Sequence, residues 1–298
     1  MCNCIILSDG TIVQLTDMGF HLKYLTGILS WDNLKLLKYA SELVTPFSLK
    51  VHKGKPALFY NNNFVDEVTF PPKNDFYKQK TSFGVPFVGN AVLQGLDWVS
   101  FQCLWPCEYA AAGKACEFCF SGGAFETLAK KRKPLPKPVC PGDFAEIVKY
   151  AVEMCGCSSI QITGGSTFDH NREYKLIVSY LEAINSFIGR ENIKGEILLY
   201  ITPPKDLNVI DEYFQLGADR IACSIEVWDS NLAKRVTPGK IDFTTRVRHL
   251  KALEYISEQY GPGKAFSNFI IGIESFETLK EGATYLAERG IILAASVW

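Results

Sequence analysis

Residues 158–204 read "SSIQITGGSTFDHNREYKLIVSYLEAINSFIGRENIKGEILLYITPP". The stretch opens on an apolar run that closes at Gly164 and Gly165. Its period then changes: Tyr174, Ile177, Val178, Leu181 and Ile184 recur at the spacing of one helix face. A second apolar run, "EILLYITPP", stops at two prolines, which bring no amide hydrogen to a sheet. Strand, helix, strand is a βαβ unit, and a crossover of this length joins parallel strands. Near-continuous apolar strands are those of a sheet covered on both faces.

The same rhythm runs outward in both directions. Before the unit, the strand "WVSFQCL" enters a cysteine-rich loop, and Pro141-Gly142-Asp143 opens a helix with an apolar stripe of Phe144, Ile147, Val148, Ala151, Val152 and Cys155. After it come the helix "DLNVIDEYFQLG", the strand "DRIACSIEV" and a helix marked by Val247, Leu250, Leu253 and Ile256. The strand "AFSNFIIGIE", the helix "SFETLKEGATYLAERG" and a last strand "IILAASVW" follow. Six strand–helix repeats predict an α/β fold, a partial (β/α)6 TIM-like barrel over residues 91–298. No GxGxxG follows the first strand, which counts against a dinucleotide fold.

Residues 1–90 read as a separate small α+β region of unassigned role. It holds a strand around "TIVQLTD" and an amphipathic helix in "WDNLKLLKYASELV", with Leu34, Leu37, Ala40 and Leu43 on one face and Asp32 as cap. Short strands follow in "FSLKVHKGKPALFYNNNFVDEV". His21 and His52 stand alone and read as structural or exposed. At the other end, the chain stops at Trp298 straight after the sixth strand, with no closing helix. Two readings stay open there: a fragment, or an edge that something else covers.

The 298 residues carry 31 lysines and arginines against 32 acidic residues, which excludes the basic excess of a nucleic-acid binder. The basic run Lys130 to Pro138 reads as a solvated linker. No apolar run has membrane-spanning length, and "MCNCIILSDG" lacks a signal-peptide pattern. The expectation is a cytoplasmic protein with neither nucleic acid nor membrane among its partners. Ten cysteines are then metal-binding, catalytic or buried rather than a disulfide framework.

Four of them fall in "FQCLWPCEYAAAGKACEFCFSGG", residues 101–123. Cys103, Cys107, Cys116 and Cys119 together have a plausible spacing for a closed structural zinc site. Cys107, Cys116 and Cys119 alone suit a four-iron cluster with one open iron, on a loop after a strand. Strand alternation puts Cys103 on one face with Phe101, as a wall of the barrel. Elsewhere Cys155 and Cys223 read as core, Cys157 follows Cys155, Cys140 has no evident partner, and Cys2 and Cys4 are too few for a second cluster. Polar and glycine residues cluster after the strands: Gly164-Gly165-Ser166, Thr202, Glu226, Gly272 and Glu274. In α/β barrels that edge carries the site.

The arrangement resembles the radical S-adenosylmethionine superfamily, in its biotin-synthase-like branch. "CEFC" puts Phe118 in the family's aromatic place before the last cysteine, although eight residues rather than three separate Cys107 from Cys116. "ITGGS" resembles the family's GGE turn, with Ser166 where the glutamate would stand. "ADRIACSIEVWDSNLAKRVTPGK" resembles the fourth-strand region, and "SNFIIGIES" the fifth. The resemblance covers about residues 95–298. It implies a [4Fe–4S] cluster on Cys107, Cys116 and Cys119. It implies S-adenosyl-L-methionine held by Gly164, Gly165, Ser166, Ser224, Glu226 and Arg235, with Ile271, Gly272 and Ile273 along the adenine. It further implies an electron donor of flavodoxin or ferredoxin type and hydrogen abstraction from an unidentified small molecule, in a mouth lined by residues such as Trp228 and Tyr200. The rival from another class is a zinc-stapled, non-catalytic α/β binding protein; an inactive barrel relative is a third.

Overall fold

A computed structural model describes residues 4–14, 46–70, 75–95, 97–104, 107–119, 130 and 137–297. The expected helix in "WDNLKLLKYASELV", His21, Cys2, most of the basic run and Trp298 lie outside these residues. The chain divides into two compact units: residues 1–99 with 150–157, and residues 100–149 with 158–298.

The first unit holds β1 (Cys4–Leu7), β2 (Ile12–Gln14), β3 (Phe47–His52), β4 (Lys55–Tyr60), β5 (Asn63–Thr69) and the short β6 (Ala91–Gln94). The first five form a sheet in the order β2-β1-β5-β4-β3, and its pairs with a printed register are antiparallel. The β3–β4 and β4–β5 turns are tight enough to need positive φ at Lys53, Gly54, Asn61 and Asn62. Ile5, Leu58 and Val68 form its core, with Phe47 and Leu49 packed against them. Tyr150 packs edge-on against Phe87. Cys157 is the buried member of its pair, while Cys155 is half-exposed, the reverse of the expected weighting. The reason is Gly156, whose positive φ ends the helix and turns the chain inward.

The second unit alternates β7 (Trp98–Leu104), β8 (Ser159–Gly164), β9 (Ile197–Tyr200), β10 (Arg220–Ala222), β11 (Ala265–Ile271) and β12 (Ile292–Val297) with helices. These are α1 (Glu108–Ala111), α2 (Pro141–Cys155, whose residues from Tyr150 on belong to the first unit), α3 (His170–Phe187), α4 (Asn208–Gln215), α5 (Ser230–Val236), α6 (Arg246–Tyr260) and α7 (Phe276–Glu288). The six strands are neighbours in chain order, and the pairs from β8 to β12 run parallel. This is the alternating α/β sheet read from the sequence.

Two details differ from the sequence reading. The strand in "DRIACSIEV" stops at Ala222, because Glu226 takes a φ of 71° and rejoins the sheet only through a bridge to Phe269. In α6 the buried stripe is His249, Ala252, Leu253 and Ile256, and Val247 is exposed. Side-chain caps start the later helices: Asp169 accepts from Arg172 N, Asp229 from Leu232 N, and Ser275 from Thr278 N. Cys140 has a partner after all: its thiol donates to Asp143 Oδ2 at 2.8 Å, at the start of α2.

Candidate functional site

The C-terminal ends of β8 to β12 and the loop after β7 line one cavity of about 360 Å³. Cys107, Cys116 and Cys119 lie on its wall together with Gly164, Gly165, Ser166, Ser224, Glu226 and Tyr200. The chain at Leu104 and Glu108 is joined to that at Gly165 and Ser166 by backbone contacts. Gly165 N–H donates to Leu104 O, and Glu108 N–H donates to Ser166 O at 2.9 Å. Gly165 has to be glycine: a Cβ there would stand 2.4 Å from Cys107 Cα. The glycine turn is therefore seated directly on the first cysteine.

Glu108, the residue after Cys107, ties the loop to the start of α3. Its carboxylate accepts from Thr167 Oγ1 at 2.8 Å, from Phe168 N–H at 2.7 Å and from Arg172 Nη2 at 2.5 Å. Burial alone would raise its pKa, but these donors and the arginine charge hold it below the ordinary carboxylate value. The far half of the loop rests on the segment after α5. Glu117 N–H donates to Val236 O at 2.9 Å, and a Cβ on Gly239 would meet Lys114 O at 2.6 Å. Phe118 packs against Val227, Ala233 and Val236. None of these supports carries a motif of its own; Glu108 is visible only once residues 108 and 166–172 are neighbours.

On the opposite wall, Lys240 Nζ stands 2.8 Å from Glu226 Oε1 and donates to Ser224 O at 2.7 Å. Asn268 Nδ2 donates to the second Glu226 oxygen at 3.2 Å. Burial pulls the ammonium pKa down, but Glu226, Cys116 and Cys119 together raise it above its ordinary value, so Lys240 stays charged. Arg235 does not take this place. On α5, Ala233 and Val236 face inward and Arg235 is exposed. Lys240, five residues on in the same quoted segment, is the cation that reaches Glu226.

Ile271, Gly272 and Ile273 are not on the cavity wall; Asn268, Ala294 and Ser296 line that side. Gly272, at φ 101°, turns the chain away, and Ile273 packs with Val227 and Val236 instead. Trp228 is likewise absent from the wall. It lies between Phe269 and Tyr285 with the Arg246 guanidinium 4.1 Å above its ring, and Gly282 leaves it room. Glu274 accepts from Trp228 and Asp229 N–H groups, a structural role.

Two facts bear on what the cysteines can hold. Among the described residues, no three His, Cys, Asp or Glu side chains are gathered closely enough for a single metal ion. Cys103 is buried in β7 with its thiol donating to Thr163 O at 3.1 Å, and it is not on the cavity wall. A closed zinc site needs four ligands converging on one ion. In a four-iron cluster each thiolate binds its own iron, so three thiols spread around one cavity are the fitting donor set. Burial pushes the Cys116 thiol up to about 12, with Lys240 opposing and Glu226, Cys119 and Cys107 adding to the rise. Metal binding at that thiol would release a proton.

A sequence profile of the Radical SAM superfamily matches residues 112–281, more than half the chain. The bacteriochlorophyllide c C-7(1)-hydroxylase of Chlorobaculum limnaeum is 26% identical over 228 residues, 71% of this chain and 55% of that protein. The chain thus spans little more than half the length of this relative. Among solved structures, a radical SAM methyltransferase from Sphaerobacter thermophilus aligns over 94% of this chain and 87% of its own, at 13% identity and a TM-score of 0.46. The methyltransferase TsrM of Kitasatospora setae, solved with cobalamin and a [4Fe-4S] cluster, covers 88% of this chain and 48% of its own, at 14% identity and a TM-score of 0.47. Both are distant likenesses.

Proposed function

The chain belongs to the Radical SAM superfamily, and on that premise we propose that Cys107, Cys116 and Cys119 hold a [4Fe–4S] cluster facing S-adenosyl-L-methionine in the cavity they share. It is an enzyme of the radical SAM class. The observation that carries the proposal is the seating of the glycine turn on Cys107, with all three cysteines lining the same cavity. When bound, the cluster supplies the electron that splits the sulfonium and yields a 5′-deoxyadenosyl radical, which takes hydrogen from the substrate.

The chain's own residues bind, orient and exclude water. Gly164 and Gly165 offer backbone to the methionine ammonium, with Ser166 in place of a carboxylate. Ser224 and Glu226 face the ribose side, and Lys240 neutralises Glu226 so that the wall carries no net charge there. Tyr200 lines the wall with a half-buried ring, and burial raises its phenol to about 12, so it stays neutral. Arg235, Ile271, Gly272 and Ile273 have no part in this reading. The reductant is an electron donor, of flavodoxin or ferredoxin type in this proposal. The substrate is a small molecule that gives up a hydrogen atom from a C–H bond.

Anaerobic reconstitution of the whole chain tests this. We expect about four irons per chain and 5′-deoxyadenosine once a reductant is added. Cys107→Ala, Cys116→Ala and Cys119→Ala each lose the product, and Cys103→Ala keeps it. A colourless protein that binds zinc through four thiols, Cys103 among them, would sink the proposal in favour of the zinc-stapled binding protein. Product analysis with deuterated candidates, following label into 5′-deoxyadenosine, then identifies the substrate.

A further inference from the structure

His249, in the first turn of α6, lines the reaction cavity and is 4% exposed. Its Nδ1 stands 2.9 Å from Thr245 O. A carbonyl oxygen can only accept, so the ring proton is on Nδ1. Burial, with the Lys240 charge adding to it, pulls the imidazole down to about 3, so the ring holds no second proton near neutral pH. Nε2 is then a bare acceptor. Among the described residues it has no hydrogen-bond partner. Nor is it one of the fully covered unpaired atoms, which are His170 Nδ1, Thr202 Oγ1 and Arg248 Nε. This nitrogen keeps surface, and the space its side chain borders is the reaction cavity. Buried polar atoms are paired in nearly all native proteins, so an acceptor left open on a cavity awaits a donor from the molecule that fills it.

Two ties brace the segment that leads into α6 on the cysteine loop. Tyr109 and Thr244 share a buried hydroxyl–hydroxyl hydrogen bond of 2.7 Å, and Lys114 Nζ stands 2.9 Å from Asp242 Oδ2. The same segment begins with Lys240, the partner of Glu226. Cysteines, Glu226 and His249 thus share one cavity, and the chain from Lys240 to His249 is fixed at both the loop and the Glu226 wall.

An uncharged acceptor selects by chemistry. It offers nothing to a carboxylate and takes an O–H or an N–H. S-adenosylmethionine has donors of three kinds: the methionine ammonium, the ribose hydroxyls and the adenine amine. The glycine turn takes the first in the function proposed above. The nucleoside half is left, and the residues expected along it, Ile271 to Ile273, are not on the wall.

We propose that His249 Nε2 is a cofactor-binding acceptor that holds the nucleoside half of S-adenosylmethionine through a ribose hydroxyl or the adenine amine. The assignment rests on the radical reading above.

Equilibrium dialysis of S-adenosylmethionine against the anaerobically reconstituted full chain tests it, with three variants. His249→Phe keeps a ring and removes the acceptor. His249→Asn keeps an amide to donate to Thr245 O and stops short of the cavity. His249→Gln puts an amide oxygen at about the reach of Nε2. Circular dichroism and iron content check that each is folded and loaded. The Phe and Asn variants should bind roughly tenfold more weakly, the cost of leaving one donor unpaired, while Gln stays within about threefold of wild type. Cofactor analogues then identify the donor. The inosine analogue, which lacks the amine, erases the difference between wild type and His249→Asn if the amine is bound; an analogue without ribose hydroxyls erases it if a hydroxyl is. A difference that survives both analogues overturns the proposal. So does equal affinity of wild type, Phe and Asn, and so does an equal loss in all three variants, since the ring would then only pack. A wild-type chain that binds no S-adenosylmethionine overturns the radical reading and this inference together. A chain that forms 5′-deoxyadenosine while wild type, Phe and Asn bind the cofactor alike overturns this inference alone.

Discussion

Lys240 and Glu226 stand 2.8 Å apart with side chains only 17% and 12% exposed, so each charge depends on the other. Removing one partner of a buried pair leaves an uncompensated charge, which costs about 3–5 kcal/mol. Lys240→Met should therefore lower unfolding stability by roughly that amount. Adding Glu226→Gln should recover much of it, because the second change removes the stranded charge; urea unfolding of the single and double variants measures both. Recovery of nothing would mean that Lys240 acts through Ser224 O alone. Gly165 is a different kind of constraint. Its missing Cβ is the space Cys107 occupies, and backbone atoms cannot swing aside as a flexible side chain can. Gly165→Ala should displace the first cysteine and cut iron content after reconstitution well below wild type. Iron analysis checks this, with Gly142→Ala as control, since that glycine has open space around it and, like Gly165, no positive φ.

The elements beneath these residues were legible where a periodic pattern decides the matter. Apolar runs bounded by Gly164-Gly165 or by Pro203-Pro204 leave few alternatives to buried strands, and β7, β8, β9, β11 and β12 are where the patterns put them. The pattern misleads where a backbone angle intervenes. "SIEV" alternates like a strand, yet Glu226 sits at φ 71°, and periodicity carries no trace of that turn. The α6 stripe slipped because His249, a polar residue, is the buried one; its ring bonds Thr245 O at 2.9 Å in place of an apolar contact. The short α5 illustrates how little holds some elements. Its start depends on the Asp229 carboxylate accepting Leu232 N–H at 2.7 Å, and its end presents Val236 O to the cysteine loop. Asp229→Ala should cost about 1 kcal/mol, the usual worth of such a cap. Chemical denaturation measures that cost, and iron retention reports whether the loop at the other end feels it.

At the scale of the molecule, the site was legible as an edge of the sheet and not as a set of contacts. Of the residues that follow strands, the cysteines, the glycine turn, Thr202 and Glu226 line one cavity, while Gly272 and Glu274 do not. Of those added by likeness, Ser224 lines it, and Arg235, Ile271 and Ile273 do not. What no linear reading reveals is the charge state of groups that folding buries, and here two of them oppose each other. Burial holds Glu173 up to about 7, against an ordinary value of 4.5. Burial, with Lys240 adding to it, pulls His249 down to about 3, from 6.5. Glu173 keeps its proton longer when folded, so its contribution is full below pH 4.5 and is lost as pH rises towards 7. His249 sheds its proton on folding, so its contribution is full above pH 6.5 and is lost as pH falls towards 3. Between 4.5 and 6.5 the folded chain gains one proton at Glu173 and loses one at His249, and the two slopes cancel. Breaking the cancellation should expose each slope. Glu173→Gln should make stability rise with pH through that window by about 1.4 kcal/mol per unit relative to wild type, and His249→Gln should make it fall by a similar amount. Urea unfolding of the three proteins at pH 5 and pH 6 gives the comparison. Parallel lines for wild type and Glu173→Gln would mean that the carboxyl is already ionised in the folded chain, whatever its burial.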